Sequence, residues 1–108
     1  MVSYDRVGNV QLAQGDLGAA LTSYQTDLAI TDRLAKSDPG NAIWQRDLSL
    51  SYAKLATVYL KAEQSAKARE ALSAGRDIVA RLVTQFSDQA VWKRDLAWFD
   101  QQIAALKD

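Results

Sequence analysis

The chain has 108 residues, which is enough for one domain with a modest core and too little for a second. Its thirteen basic and thirteen acidic residues cancel, so no net positive field is available to hold a nucleic acid or an anionic membrane. Cysteine and histidine are both absent, which excludes thiol and imidazole catalysis and zinc sites built on these ligands, and we expect a non-catalytic protein without metal or cofactor.

Apolar residues recur every three or four positions along the chain, and this spacing predicts amphipathic helices. In chain order we expect five helices, near residues 3–14, 16–36, 41–61, 65–86 and 89–106. Gly15 and Asp16 combine a glycine stop with an N-cap for the second helix. Ser65 can cap the fourth helix, and the proline and glycine of segment 37–41 end the second. The sequence therefore predicts an all-α fold.

The chain repeats itself, without a gap, at a shift of 48 residues. The segment WQRDLS at Trp44–Ser49 returns as WKRDLA at Trp92–Ala97, and Tyr4 matches Tyr52. Such a period is typical of stacked helix-hairpin units. We predict a single domain over residues 1–108, divided into a repeat at about 1–40, a second at about 41–87 and a capping helix at 88–108.

The repeated motif contains adjacent arginine and aspartate residues, which point in different directions on a helical wheel and so do not pair with each other. Arg33 lies as far before the turn at Gly40 as Asp47 lies after it, and the same register relates Arg81 to Asp95. We therefore predict two structural ion pairs, Arg33 with Asp47 and Arg81 with Asp95, that fix the register of each hairpin. A catalytic Arg–Asp couple is the less favoured alternative, because the motif recurs at a structural period.

The small and aromatic residues of each unit resemble the tetratricopeptide repeat. The family pattern is matched in the two units by Tyr4, Val7, Gly8, Ala20 and Tyr24, and by Tyr52, Leu55, Ala56, Tyr59, Ala68 and Leu72. Asp32 and Ala80 stand where the family has proline, which lengthens the second helix and the period. The resemblance implies antiparallel helix hairpins stacked as a short right-handed α-solenoid of about five helices.

The resemblance also implies a binding surface, because the first helix of each hairpin lines a concave face in this family. The corresponding candidate peptide-binding positions are Asp5, Arg6, Asn9, Lys54, Thr57, Lys61, Trp98, Gln101 and Gln102. Arg6, Lys54 and Lys61 would suit a peptide with acidic side chains or a free C-terminus. Alternatively, these charges belong to an ordinary solvated helix face. Chaperone-tail binding is disfavoured, because Asp5 and Lys54 stand where the family's carboxylate clamp has lysine and asparagine.

We expect a non-catalytic module of a larger bacterial protein that binds a protein or peptide, without nucleic acid or membrane partners. The alternative is a structural element that stacks or dimerises through an apolar face left open at the first helix. No apolar run approaches the roughly 20 residues that span a bilayer, and the first residues lack the apolar core of a signal peptide, so a cytoplasmic location is expected. Trp98 and Phe99 are neighbours and cannot both face inward, so one of them is expected to be exposed.

Overall fold

A computed structural model describes residues 3–106. It contains five helices, α1 Tyr4–Ala13, α2 Leu17–Ser37, α3 Ala42–Lys61, α4 Ser65–Gln85 and α5 Ala90–Ala105. The all-α prediction is confirmed, since the described residues contain no strand and each helix ends within one residue of its predicted bounds. Each helix packs against the next along the chain. None of the described helices is both long and apolar enough to cross a membrane.

The helix termini follow from local side-chain chemistry. The Asp16 carboxylate accepts a hydrogen bond from the backbone N–H of Ala19 at 3.1 Å, and Asn41 caps α3 in the same way. Ser65 is the first residue of α4 and not its cap, because that position falls to Gln64, whose side chain makes no capping bond. The turns before α2 and α4 each contain a residue with left-handed backbone, Gly15 at φ 81° and Glu63, its counterpart 48 residues on, at φ 60°.

The core has two parts. The larger part joins buried residues of α2, α3, α4 and α5, among them Tyr24, Val58, Leu72 and Phe99. The smaller part consists of Ala35, Leu48, Ile78 and Leu82, with Trp44 and Trp92 packed against it. The tryptophan and leucine of the repeated motif are therefore core residues.

Glycine allows two close helix contacts in this core. A Cβ atom added to Gly75 of α4 would lie 2.6 Å from the ring of Phe99 in α5 and 3.2 Å from the backbone oxygen of Ser49 in α3. A Cβ added to Gly8 of α1 would lie 2.5 Å from the ring of Tyr24 in α2. Both rings are buried, Tyr24 to 1% exposure and Phe99 to 1%, so neither can move aside freely.

We expect the substitution Gly75→Ala to lower the free energy of unfolding by about 1–3 kcal/mol, because the added methyl group overpacks the contact with Phe99. Helix propensity alone would raise the free energy of unfolding by up to about 1 kcal/mol, because alanine favours a helix over glycine. A decrease therefore indicates overpacking. Urea unfolding followed by circular dichroism measures the change. Gly18→Ala is the matched control, because an added Cβ meets nothing within 4 Å there. A Gly75→Ala variant as stable as Gly18→Ala would contradict the packing.

Candidate functional site

The two copies of the Trp-x-Arg-Asp-Leu motif are joined to each other by an ion pair. The Arg46 guanidinium of α3 donates from Nε to Oδ2 of Asp95 in α5 at 2.9 Å. Both side chains are partly buried, with 33% of the arginine and 17% of the aspartate exposed. The motif therefore supplies its arginine from one repeat and its aspartate from the next.

The hairpin ion pairs predicted from the sequence are not formed. Asp95 bonds to Arg46 in place of Arg81, and no ion pair joins Arg33 to Asp47 among residues 3–106. Both Arg33 and Arg81 are exposed. Equal distance from a turn places two residues level along a hairpin, but the rotation of each helix decides whether their side chains face each other, and here they do not.

A pocket of about 240 Å³ opens between α1, α2 and α3. We call it the acidic pocket; its lining residues are Asp5, Asp27, Thr31, Asp47, Leu50, Ser51 and Lys54. The ammonium group of Lys54 forms an ion pair with the Asp5 carboxylate. Three carboxylates face one ammonium, so Asp27 and Asp47 have no cation paired with them inside the pocket.

A hydrogen-bond network fixes Asp27 at the floor of the acidic pocket. The Ser51 hydroxyl donates to Oδ2 of Asp27 at 2.9 Å, and the Thr31 hydroxyl donates to Oγ of Ser51 at 3.0 Å. Ser51 is only 3% exposed, so these hydrogen bonds lie at the buried contact between α2 and α3. The Asp27 carboxylate therefore has a hydrogen-bond donor within the fold before any ligand arrives.

The charges of the acidic pocket are only partly compensated. Partial burial raises the pKa of the Asp47 carboxyl, the neighbouring Arg46 opposes this, and the Asp27 carboxylate adds to it. Burial also lowers the pKa of the Lys54 ammonium. A cation placed between Asp27 and Asp47 would reduce the repulsion between their carboxylates, whereas an anion would add to it.

A second pocket, of about 140 Å³, lies between α3 and α5. We call it the Trp98 pocket; it is lined by Leu50, Ala53, Asp95, Trp98 and Phe99. Trp98 is 36% exposed, while Phe99 is 1% exposed and forms an edge-to-face contact with it, so the expectation that only one of them faces inward is confirmed. Leu50 lines both pockets, which therefore adjoin. Together they form what we call the inner groove.

The structure places three of the nine predicted binding positions in the inner groove, namely Asp5, Lys54 and Trp98. Arg6, Lys61 and Gln101 are exposed outside both pockets. Gln102 is partly buried and also lies outside them.

Two other predicted positions are occupied by contacts within the fold. The amide oxygen of Asn9 accepts a hydrogen bond from the Tyr24 hydroxyl at 2.5 Å, which ties α1 to α2. The Thr57 hydroxyl donates to the backbone oxygen of Ala53 in its own helix at 3.0 Å. Of the three cations expected to suit an acidic peptide, Lys54 is paired with Asp5 and lies among carboxylates in the acidic pocket.

Asp27 and Thr31 were missed as site residues because the family resemblance assigns binding to first helices, and both lie on a second helix, α2. A signal was present in the repeat itself. At a shift of 48 residues the counterparts of Asp27, Thr31 and Ser51 are glycine, valine and phenylalanine. Three polar residues at positions that are apolar or empty in the other unit indicate a local change of role.

No family model, no curated protein and no solved structure matches the chain. Among residues 3–106, no group of three or more carboxylates is arranged so that it could hold a metal ion.

We expect a double-mutant cycle on Arg46→Ala and Asp95→Ala to give a coupling of about 1 kcal/mol in the free energy of unfolding, as partly buried charged hydrogen bonds do. The same cycle on Arg81→Ala and Asp95→Ala should give a coupling near zero, because the structure does not join these residues. Urea unfolding of the variants measures both values. A coupling of Asp95 to Arg81 larger than its coupling to Arg46 would contradict the structure and support the ion pair predicted from the sequence.

The substitution Asp47→Asn should raise the free energy of unfolding at neutral pH. A carboxyl whose pKa is raised by folding destabilises the folded state once it ionises, so the wild type loses stability as the pH rises through the acid range. The advantage of the variant should therefore disappear at a pH where Asp47 is protonated in both states. Urea unfolding across this pH range measures it, with Asp77→Asn as the control, because Asp77 does not line the acidic pocket. A variant less stable than wild type at neutral pH would contradict the prediction.

Proposed function

We propose that the protein is a non-catalytic interaction module that binds a segment of another protein in the inner groove. The observation that carries the proposal is that Leu50 lines both pockets, which places an apolar pocket and a charged pocket side by side. Binding sites of this kind combine an apolar anchor with a few fixed polar groups.

The Trp98 pocket supplies the anchor in this proposal. Its rim is a tryptophan, the residue type most often found at the energetic centre of interfaces. Asp95 also lines this pocket, but its charge is compensated by Arg46 within the fold. An aliphatic or aromatic side chain can therefore enter without leaving an unpaired carboxylate buried.

The acidic pocket sets the charge preference. Asp27 and Asp47 have no paired cation, so an acidic segment would be repelled and a neutral or basic segment favoured. The sequence-based suggestion of an acidic ligand is thus replaced by its opposite.

Selection from a display library of short random peptides tests the proposal. We expect the bound peptides to share one large apolar residue and to be poor in aspartate and glutamate. Trp98→Ala should weaken their binding by about tenfold, which is roughly 1.4 kcal/mol, because it removes the wall of the anchor pocket. Fluorescence anisotropy measures the affinities.

Ile43→Ala is the matched control, because Ile43 is 68% exposed and does not line the inner groove. Circular dichroism checks that both variants keep their helices. A selection that yields no binder, or binders that do not respond to Trp98→Ala, would argue against the groove.

A further inference from the structure

Four apolar residues are exposed in the first unit although their counterparts in the second unit are buried. The exposed residues are Val7 at 38%, Val10 at 57%, Ile30 at 39% and Leu34 at 39%. At a shift of 48 residues the counterparts are Leu55 at 4%, Val58 at 1%, Ile78 at 7% and Leu82 at 4%. The residue types are similar, so the difference lies in what covers them.

The start of α3 covers part of the second unit. Residues 42–51, which we call the lead segment, precede Tyr52, and their Leu48 clusters with Ile78 and Leu82 of α4 while Trp44 packs against that cluster. The counterpart of Tyr52 is Tyr4, the first residue of α1. Within residues 3–106, no helix takes the corresponding place beside α2, and the counterparts Ile30 and Leu34 are exposed.

The lead segment also carries the arginine of the inter-repeat ion pair. Arg46 bonds to Asp95, and the counterpart of Asp95 at a shift of 48 residues is Asp47. Asp47 lines the acidic pocket and forms no ion pair among the described residues. The open position beside α2 therefore has apolar residues on one side and a carboxylate without a bound arginine on the other.

The open position beside α2 differs from the position that the lead segment occupies beside α4, and the difference favours a basic side chain in the ligand. In the second unit, the backbone of the lead segment comes close to α4 at Gly75, where the oxygen of Ser49 lies 3.2 Å from the site of an added Cβ. The counterpart of Gly75 is Asp27, whose side chain prevents an equally close approach. The remaining space is the acidic pocket, which is wide enough for a long basic side chain and is lined by Asp27 and Asp47.

We propose that the open face beside α2, formed by Ile30, Leu34 and Asp47, binds an amphipathic helix of a partner protein that carries the pattern Trp-x-Arg-Asp-Leu. The tryptophan and leucine of the partner cover Ile30 and Leu34, as the lead segment covers α4. Its arginine pairs with Asp47. This face shares the acidic pocket with the inner groove but does not include the Trp98 pocket, so the two proposals differ in the apolar contact that each requires.

A helical peptide with the sequence of residues 41–48, which ends before the positions that Ser3 and Tyr4 occupy in the first unit, is cross-linked on its solvent-facing side, labelled with a fluorophore and used to test the proposal in trans. The cross-link is needed because so short a helix does not form in isolation. We expect saturable binding to the full chain by fluorescence anisotropy. Asp47→Asn in the protein and arginine-to-alanine in the peptide should each weaken binding by about tenfold, and the two together by little more than either alone.

Leu34→Asp should also abolish binding, because it places a charge under the apolar side of the peptide. If circular dichroism shows that Leu34→Asp loses helicity, Ile30→Ser replaces it. Trp98→Ala is the control and should leave the affinity for this peptide unchanged, because Trp98 lies outside the face formed by Ile30, Leu34 and Asp47; failure here is therefore distinct from failure of the Trp98 pocket.

Three results would overturn the proposal. The peptide could fail to bind, or its binding could respond to Trp98→Ala and not to Asp47→Asn, which would place it in the Trp98 pocket. Sedimentation of the protein alone could reveal a dimer that Leu34→Asp dissociates, in which case a second copy covers this face and the partner helix is not its ligand.

Discussion

The lead segment of α3 contacts both of the helices that follow it in the chain. Its Trp44 and Leu48 pack into the smaller core with α4, and its Arg46 reaches Asp95 of α5. One short helical stretch therefore links three helices, by burial on one side and by a charged hydrogen bond on another. Because these two kinds of contact need different orientations, together they fix both the position and the rotation of α3 against its neighbours.

The helices could be predicted from the sequence because periodicity and turn residues are local properties. The ion pairs could not, because they depend on the rotation of α5 about its own axis. That rotation is set by a contact between distant residues, in which the buried ring of Phe99 lies against Gly75. The register of the hairpin predicts that Arg81 and Asp95 lie level but not the direction of their side chains, and the Asp95 carboxylate bonds to Arg46 of α3 instead. The sequence likewise predicted Trp98 as a candidate contact but did not reveal Asp27.

The repeat fills equivalent positions with opposite chemistry. Between α4 and α5, Phe99 fills the space over Gly75 and the contact is apolar. Between α2 and α3, Ser51 and Asp27 take the equivalent two positions and form a hydrogen bond. A serine side chain is much smaller than a phenylalanine ring, so the exchange leaves unfilled volume, which is the acidic pocket. Burial of a large aromatic ring contributes more to the free energy of unfolding than one hydrogen bond does. A position with a purely structural role would therefore be more stable with phenylalanine than with serine.

The same difference separates the two proposed surfaces. At Asp95 the repeat supplies its own arginine, so the adjacent Trp98 pocket is left with its charge compensated and is suited to an apolar side chain. At Asp47 the equivalent carboxylate lacks such a partner within the described residues and lies beside Asp27, so desolvation there favours any ligand that brings a cation. The same position of the repeated motif thus contributes to an internal ion pair at Asp95 and to a proposed binding surface at Asp47, and the two differ in the presence or absence of one guanidinium group.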